Sequence, residues 1–248
     1  MNIIKSIIVW LTVICFLIVL FPFTFIIWIL VFPFDRERVI IHWILVYQGL
    51  IISRFIPMWK IDIDGREKAV RGTTYIIVAN HQSLLDVLIL SCLRYKFKWI
   101  SKIENVKVPI LGWYLKMADY IIVNRGNEES KAEMLEKSYR CLKRGISIMI
   151  FSEGTRSLTG GIGFFKRGAF QLALETGVTI LPVVLDGTGS LLPKHGLILG
   201  SRSEVKIKVL DPVNPQSFGT DKPEELALKI QSLMTSELKE LRNRKDCR

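Results

Sequence analysis

The stretch TTYIIVANHQSLLD (Thr73–Asp86) joins a β-rich run directly to the apparent start of a helix. Its first half is dominated by β-branched and aromatic residues, which are typical of a buried strand. Its second half carries a histidine and an aspartate five residues apart, His81 and Asp86. A strand, a polar loop and a helix in that order form the unit from which parallel sheets are built, so this stretch indicates the fold class.

The same alternation continues along the chain from Lys60. The predicted strands are Lys60–Ile63, Thr73–Val78, Lys98–Ser101, Tyr120–Val123, Ile146–Phe151, Val178–Leu185 and Val205–Leu210. The predicted helices are Leu84–Arg94, Val108–Met117, Lys131–Arg144, Arg167–Thr176 and Pro223–Arg242. This pattern predicts an α/β domain with a mostly parallel sheet flanked by helices. In such sheets ligands bind at the carboxyl ends of the strands.

Several residues predict where helices begin and end. Ser130 followed by Glu133 has the spacing of a capping box at the start of a helix. Gly145 and Gly177 each follow a predicted helix, where glycine accepts the left-handed backbone of a helix C-terminus. We expect GTGSLLPKHG (Gly187–Gly196) to be a loop.

The N-terminal segment has a different character from the rest. No charged residue occurs from Ser6 to Phe34, and Ile7–Phe34 exceeds the roughly 20 apolar residues that cross a bilayer. Pro22 and Pro33 predict a break or kink in this run, and a second apolar stretch, Val39–Trp59, follows.

We therefore predict two domains. Residues 1–58 form a hydrophobic helical hairpin that anchors the chain, mostly in the cytoplasmic leaflet, and residues 59–248 form the α/β domain. A conventional transmembrane span remains the alternative for the first segment. A signal peptide is disfavoured because the run is too long and lacks a small-residue cleavage site.

The chain is strongly basic, with a net charge of 34 − 23 = +11. Beside an apolar N-terminus, this charge favours membrane phospholipids and phosphate-bearing ligands as partners over nucleic acid. The four cysteines are scattered singly, so neither a disulfide framework nor a metal site is expected.

His81 and Asp86 allow two interpretations. In the first, Ser83 is the N-cap of a helix and Asp86, three residues later, completes a capping box. In the second, the Asp86 carboxylate orients the His81 imidazole, so that the ring acts as a base. No G-x-S-x-G nucleophile elbow is present, so the nucleophile could belong to the substrate, as an alcohol that attacks an activated acyl group.

A second polar loop, FSEGTRS (Phe151–Ser157), also follows a predicted strand. Gly154 allows close backbone approach, Arg156 offers a planar fork for phosphate, and Glu153 could orient hydroxyls or that arginine. The alternative is a polar connection with a surface Glu–Arg pair.

Lys102 and Arg125 follow two further predicted strands, so each could face the same crevice. The alternatives are solvated side chains, or contacts with anionic headgroups.

Four blocks in this order resemble the glycerolipid acyltransferases with an H-x-x-x-x-D motif, specifically the bacterial-type lysophosphatidic acid acyltransferases. The blocks are NHQSLLD (Asn80–Asp86), the segment Trp99–Gly126, FSEGTRS, and TILPVVLDGTG (Thr179–Gly189). The resemblance covers roughly residues 60–215 and implies transfer of a fatty acyl group to the sn-2 hydroxyl of lysophosphatidate. The donor would be acyl-CoA or acyl-carrier protein, and the product would be phosphatidate for phospholipid biosynthesis.

The resemblance also implies roles for individual residues. His81 would be the general base on the sn-2 hydroxyl, and Asp86 would orient it. The residues that bind the acceptor would be Glu153, Gly154, Arg156, Lys102 and Arg125, with Arg156 on the phosphate.

No metal or other cofactor is expected, because a thioester is already activated. The expected location is the cytoplasmic membrane, with the catalytic domain on its cytoplasmic side. Two alternatives stay open: an acyltransferase that uses another lysolipid or glycerol 3-phosphate, and a non-catalytic membrane protein that binds anionic lipid.

Overall fold

The computed structural model describes residues 2–56, 59–200 and 203–246. All seven predicted strands are present, with slightly different ends. They are β1 (Trp59–Asp64), β2 (Ile76–Ala79), β3 (Phe97–Lys102), β4 (Ile121–Val123), β5 (Ser147–Phe151), β6 (Ile180–Asp186) and β7 (Ser203–Val209). They form one sheet in the order β1-β7-β6-β2-β5-β3-β4, in which only β6 and β7 are antiparallel. The mostly parallel sheet predicted from the sequence is confirmed.

The sheet is flanked by helices. They are α1 (Asn2–Val31), α2 (Val39–Phe55), α3 (Asp86–Leu90), α4 (Leu111–Met117), α5 (Glu128–Lys143), α6 (Gly168–Thr176), α7 (Thr188–Leu191) and α8 (Pro223–Asp246). The helix predicted after β2 is shorter than expected and continues as a 3₁₀ turn over Ser91–Leu93. The predicted loop at Gly187–Gly196 contains the short helix α7.

The N-terminal helix α1 continues through Pro22, so of the predicted break or kink at that residue the break is wrong. Packing holds the chain there, because the neighbouring Phe21 contacts both Trp113 and Tyr114 of α4. The helix ends before Pro33, and Asp35 then caps α2 by accepting hydrogen bonds from two of its backbone N–H groups. Among the described residues, α1 is the one helix long and apolar enough to cross a membrane, judged by length and composition.

The hairpin of α1 and α2 packs directly on the α/β domain. His42 is buried, with its ring nitrogens 2.9 Å from the Tyr120 hydroxyl and 2.8 Å from the Tyr95 carbonyl oxygen. The Ser53 hydroxyl donates to the carbonyl of Leu88 in α3. The predicted domain boundary at residue 58 lies outside the described residues, so the division into anchor and domain remains a prediction.

Helix α5 corrects one capping prediction. The helix begins one residue after Asn127, whose side-chain oxygen accepts the N–H of Ser130 at 2.7 Å. The Ser130 hydroxyl instead accepts the N–H of Asn124, so Ser130 lies inside the first turn and is not the N-cap. Gly145 and Gly177 both adopt positive φ just after helices, as predicted.

The register of the central strands positions the two polar loops. Strand β2 pairs with β5 in parallel, with Ala79 opposite Phe151, so the loops that follow start side by side. Asn80 fixes the first loop to β6 on the other side. Its side chain donates to the Leu185 carbonyl at 2.9 Å and accepts the Leu185 N–H at 2.7 Å.

Replacing Asn80 by alanine tests this anchor. The change leaves a buried N–H and a buried carbonyl of Leu185 without their partner, which should lower the free energy of unfolding by about 2–4 kcal/mol. The control is Asn105→Ala, which removes one hydrogen bond to Ser101 and should cost less than about 1 kcal/mol. The measurement is the unfolding midpoint in detergent, and equal midpoints for the two variants would contradict the anchoring role.

Candidate active site

The His81 and Asp86 side chains meet at the carboxyl end of β2. Nδ1 of His81 lies 2.7 Å from Oδ2 of Asp86, which is fully buried. An ionised carboxylate only accepts hydrogen bonds, so Nδ1 carries a proton, and in the neutral imidazole Nε2 then holds the lone pair. Within the described part of the chain, Nε2 has no hydrogen-bond partner, and 15% of the side chain is exposed. The imidazole is therefore oriented as a base that faces a ligand.

The same carboxylate oxygen also organises the loop. Oδ2 of Asp86 accepts the backbone N–H groups of Gln82 at 2.7 Å and Ser83 at 2.9 Å. Helix α3 begins at Asp86 with Leu85 at the N-cap position, so Ser83 is not the N-cap, although its hydroxyl accepts the Leu85 N–H. One oxygen atom therefore makes both the Asp86 contact of a capping box and the contact that orients the histidine, while the Ser83 N-cap of the first interpretation is wrong.

An aromatic stack supports the imidazole, and the sequence reasoning missed it. The Phe151 ring lies parallel to the His81 ring, with centroids 3.9 Å apart and planes 10° apart, and Trp99 stacks behind Phe151 at 5.5 Å. No sequence signal locates this stack, because it depends on the pairing register that sets Phe151 opposite Ala79. The stack restricts rotation of the ring away from Asp86.

Glu153 ties the two polar loops together. It is buried, and its two carboxylate oxygens accept the backbone N–H of His81 at 2.9 Å and that of Gly163 at 2.8 Å. Burial raises the pKa of this carboxyl, while the two N–H groups act in the opposite direction. The alternative of a surface Glu–Arg pair is therefore wrong.

The basic residues predicted around the site differ in their contacts. Arg125 donates a hydrogen bond to the carbonyl of Gly154, and burial lowers the pKa of its guanidinium. Lys102 pairs with Glu104 at 2.7 Å near the end of β3, where both side chains are largely exposed. Arg156 is half-buried and has no hydrogen bond or ion pair to any described residue. Arg156 is thus available to a ligand.

Lys166 joins this group, although the sequence reasoning did not single it out. Gly154 has φ +68°, and a Cβ added there would lie 2.8 Å from Cε and 3.0 Å from Nζ of Lys166. The lysine side chain therefore covers the second polar loop, and its own backbone N–H donates to Ser152. The signal available in the sequence was the basic pair in FFKRG, just before α6.

Two positive charges, those of Arg125 and Lys166, thus converge on Gly154. Burial and then the charge of Arg125 lower the pKa of the Lys166 ammonium. Lys166 has no acidic partner among the described residues. Like charges held together in this way favour a bound anion such as a phosphate monoester.

No group of three or more His, Cys, Asp or Glu residues suited to a metal ion occurs within residues 2–56, 59–200 and 203–246.

Comparison with known proteins relates the chain that carries this site to one protein family. Residues 60–186, about half of the chain, match the family profile described as Acyltransferase. The chain is 35% identical over 182 residues to "1-acyl-sn-glycerol-3-phosphate acyltransferase LPAT1, chloroplastic" of Arabidopsis thaliana, covering 73% of this chain and 51% of that protein. It is 32% identical over 202 residues to "Probable 1-acyl-sn-glycerol-3-phosphate acyltransferase" of Mycoplasma genitalium, covering 74% and 75%.

A solved structure matches nearly the whole chain. The 1-acyl-sn-glycerophosphate (LPA) acyltransferase PlsC from Thermotoga maritima superposes with a TM-score of 0.81 at 26% identity, covering 98% of both chains. Several curated relatives are longer proteins, and this chain spans about half their length.

Two substitutions of Asp86 separate its acceptor role from its charge. Asp86→Ala leaves the N–H groups of Gln82 and Ser83 buried without an acceptor and should cost about 2–4 kcal/mol of unfolding free energy. Asp86→Asn keeps a carbonyl oxygen there and should cost no more than about half as much. The measurement is the unfolding midpoint, with exposed Asp211→Ala as a nearly neutral control. An equal loss in both Asp86 variants would contradict the acceptor role.

Proposed function

Because the chain belongs to the acyltransferase family, we propose that it transfers a fatty acyl group from a thioester donor to the sn-2 hydroxyl of lysophosphatidate, forming phosphatidate. The observation that carries the proposal is the His81–Asp86 pair, in which Nδ1 is held by the carboxylate and Nε2 is open. The names of the similar proteins, which specify 1-acyl-sn-glycerol 3-phosphate, support this acceptor.

The proposed reaction needs no nucleophile from the protein. Nε2 of His81 removes the proton of the sn-2 hydroxyl as that oxygen attacks the thioester carbonyl carbon. The Asp86 carboxylate stabilises the imidazolium that forms. When the tetrahedral intermediate collapses, the carbon–sulfur bond breaks and the thiolate takes the proton from Nε2. The products are an ester and a free thiol, and the histidine returns to its starting state.

The acceptor phosphate is proposed to bind beside Gly154. Arg156 supplies a planar fork and Lys166 an ammonium, so the phosphate could take charge-assisted hydrogen bonds from both. Arg125 holds the loop through the Gly154 carbonyl, and Lys102 completes the proposed set at the end of β3. Glu153 contributes by fixing the backbone of both loops.

The chain is membrane-associated, as the apolar helix α1 and the bacterial relatives of the chain indicate. We assign residues 1–58 to a membrane anchor and place the catalytic domain on the cytoplasmic side, where acyl-CoA and acyl-carrier protein are available. With the anchor packed on the domain, a lysolipid could reach His81 without its acyl chain crossing water. A thioester is already activated, so the proposed reaction uses neither a metal nor another cofactor.

Turnover of the His81 and Asp86 variants tests the base and its orienter. His81→Ala should lower kcat at least about 100-fold, because proton removal from the attacking hydroxyl is lost. Asp86→Asn should lower kcat by a similar factor although it keeps most of its stability. The assay follows thiol release from long-chain acyl-CoA with lysophosphatidate as acceptor. Near-normal turnover in Asp86→Asn would restrict Asp86 to helix capping.

Substitutions of Lys166 and Arg156 test phosphate recognition. Each change to alanine should raise the apparent KM for lysophosphatidate about 10-fold or more, because a charge-assisted hydrogen bond is worth about 1.5–3 kcal/mol. The matched control is Lys131→Ala, since Lys131 is near Lys166 but is paired with Glu128. An unchanged KM in both test variants would move phosphate recognition to Lys102 and Arg125. The same assay with glycerol 3-phosphate or other lysolipids establishes acceptor choice.

A further inference from the structure

A second basic site lies away from the candidate active site. A cavity of about 610 Å³ opens between the C-terminal half of α2, strand β1 and the 3₁₀ turn that follows α3. Three arginines line it: Arg54 of α2, Arg66 just after β1, and Arg94 at the end of the 3₁₀ turn. Cys92 in its wall follows Asp86 by six residues along a helical segment, so the cavity is about 10 Å of helix away from the dyad.

The three guanidinium groups form no ion pair with a carboxylate within residues 2–56, 59–200 and 203–246. Arg66 donates through Nε to the carbonyl of Leu93 at 2.8 Å, and within the described residues none of the three has a carboxylate partner. No aspartate or glutamate lines the cavity in the described part of the chain. Ile61 and Ile63 of β1 line the cavity, so Asp62, between them in the strand, points to the opposite face.

The positive charges of all three arginines act on the Cys92 thiol in the cavity wall. Burial raises the pKa of the Cys92 thiol, and the charges of Arg54, Arg94 and Arg66 all act against that shift. Arg94 also has φ +54°, a backbone conformation that glycine or asparagine adopts at lower cost. The sequence therefore has an arginine at position 94 although the backbone conformation there is unfavourable for it.

The rest of the lining is largely apolar. Leu50 and Ile56 come from α2 and the residue that follows it, and Ile61 and Ile63 come from β1. A small hydrophilic anion would use the arginines and leave this apolar surface unused. An amphiphile with a phosphate headgroup would use both parts.

We infer that this cavity binds an anionic phospholipid of the membrane. Its phosphate lies among Arg54, Arg66 and Arg94, and the start of an acyl chain lies on the isoleucines of β1 and on Leu50. Three observations favour this occupant: the uncompensated positive charge, the adjacent apolar wall, and the contribution of α2, which belongs to the apolar hairpin. A volume of about 610 Å³ suits a headgroup and part of a chain.

This lipid site differs from the acceptor site in residues and in reaction. Its arginines belong to α2, to the residues just after β1 and to the end of the 3₁₀ turn, whereas the proposed acceptor phosphate contacts Arg156 and Lys166. Binding here includes no acyl transfer, so the lipid site can be tested in a protein that lacks the catalytic base.

The test uses the full chain with His81→Ala in detergent, titrated with phosphatidylglycerol or phosphatidylcholine and followed by native mass spectrometry. We expect phosphatidylglycerol to bind at least 10-fold more tightly than phosphatidylcholine. The triple change Arg54→Gln, Arg66→Gln and Arg94→Gln should weaken phosphatidylglycerol binding at least 10-fold. Equal affinity for the two lipids, or unchanged binding in the triple variant, would overturn the proposal.

A matched triple variant controls for net charge. Lys60→Gln, Arg71→Gln and Lys239→Gln remove the same charge from exposed positions that do not line the cavity, and should change binding less than 2-fold. If this control lost as much phosphatidylglycerol binding as the test variant, overall charge would explain the effect and the proposed site would be overturned.

Two further arms complete the test. Inorganic phosphate in 100-fold excess should leave phosphatidylglycerol bound. Displacement by phosphate would show that the site recognises phosphate alone and would overturn the lipid site.

Arg94→Gly removes one guanidinium where glycine suits the backbone, so its unfolding midpoint should be equal or higher while phosphatidylglycerol affinity falls about 3-fold or more. Unchanged affinity in this folded variant would contradict a role for Arg94.

Discussion

The architecture of the candidate site depends on one buried oxygen atom, Oδ2 of Asp86. It accepts hydrogen bonds from the Gln82 and Ser83 backbone and from the His81 imidazole. Because all three donors converge on one fully buried charge, the shape of the loop and the tautomer of the histidine are set together. The neighbouring Glu153 carboxylate accepts the backbone N–H of His81 at 2.9 Å. Two buried carboxylates thus fix the position of one imidazole.

The placement of the site was predictable from the sequence because it depends on strand order and parallel direction. The β-rich run before His81 and the run before FSEGTRS were both recognised as strands, and adjacent parallel strands bring their carboxyl ends together. The predicted contact between His81 and Asp86 followed from a loop residue facing the first turn of a helix. The stacking of Phe151 under the imidazole could not be predicted, because it depends on the pairing register of β2 with β5.

Contacts between distant segments account for the other differences. Lys166 reaches the second polar loop because Gly154 lacks a side chain. The two residues are 12 positions apart, and no sequence spacing predicts this contact. Ser130 has capping-box spacing, but Asn127 is the N-cap of α5 and its side chain accepts the Ser130 N–H. Pro22 stays within α1 because the aromatic residues of α4 pack against its neighbour. In each case tertiary packing overrides a local preference.

In the proposed reaction the substrate, and not the protein, supplies the nucleophile. The most direct test compares lysophosphatidate with an analogue that lacks the sn-2 hydroxyl, measuring thiol release from long-chain acyl-CoA together with the intact mass of the protein. We predict repeated turnover with lysophosphatidate, and with the analogue neither a burst of thiol nor a gain in protein mass. One equivalent of thiol released with the analogue, accompanied by an acylated protein, would contradict the claim and require a nucleophile from the chain itself.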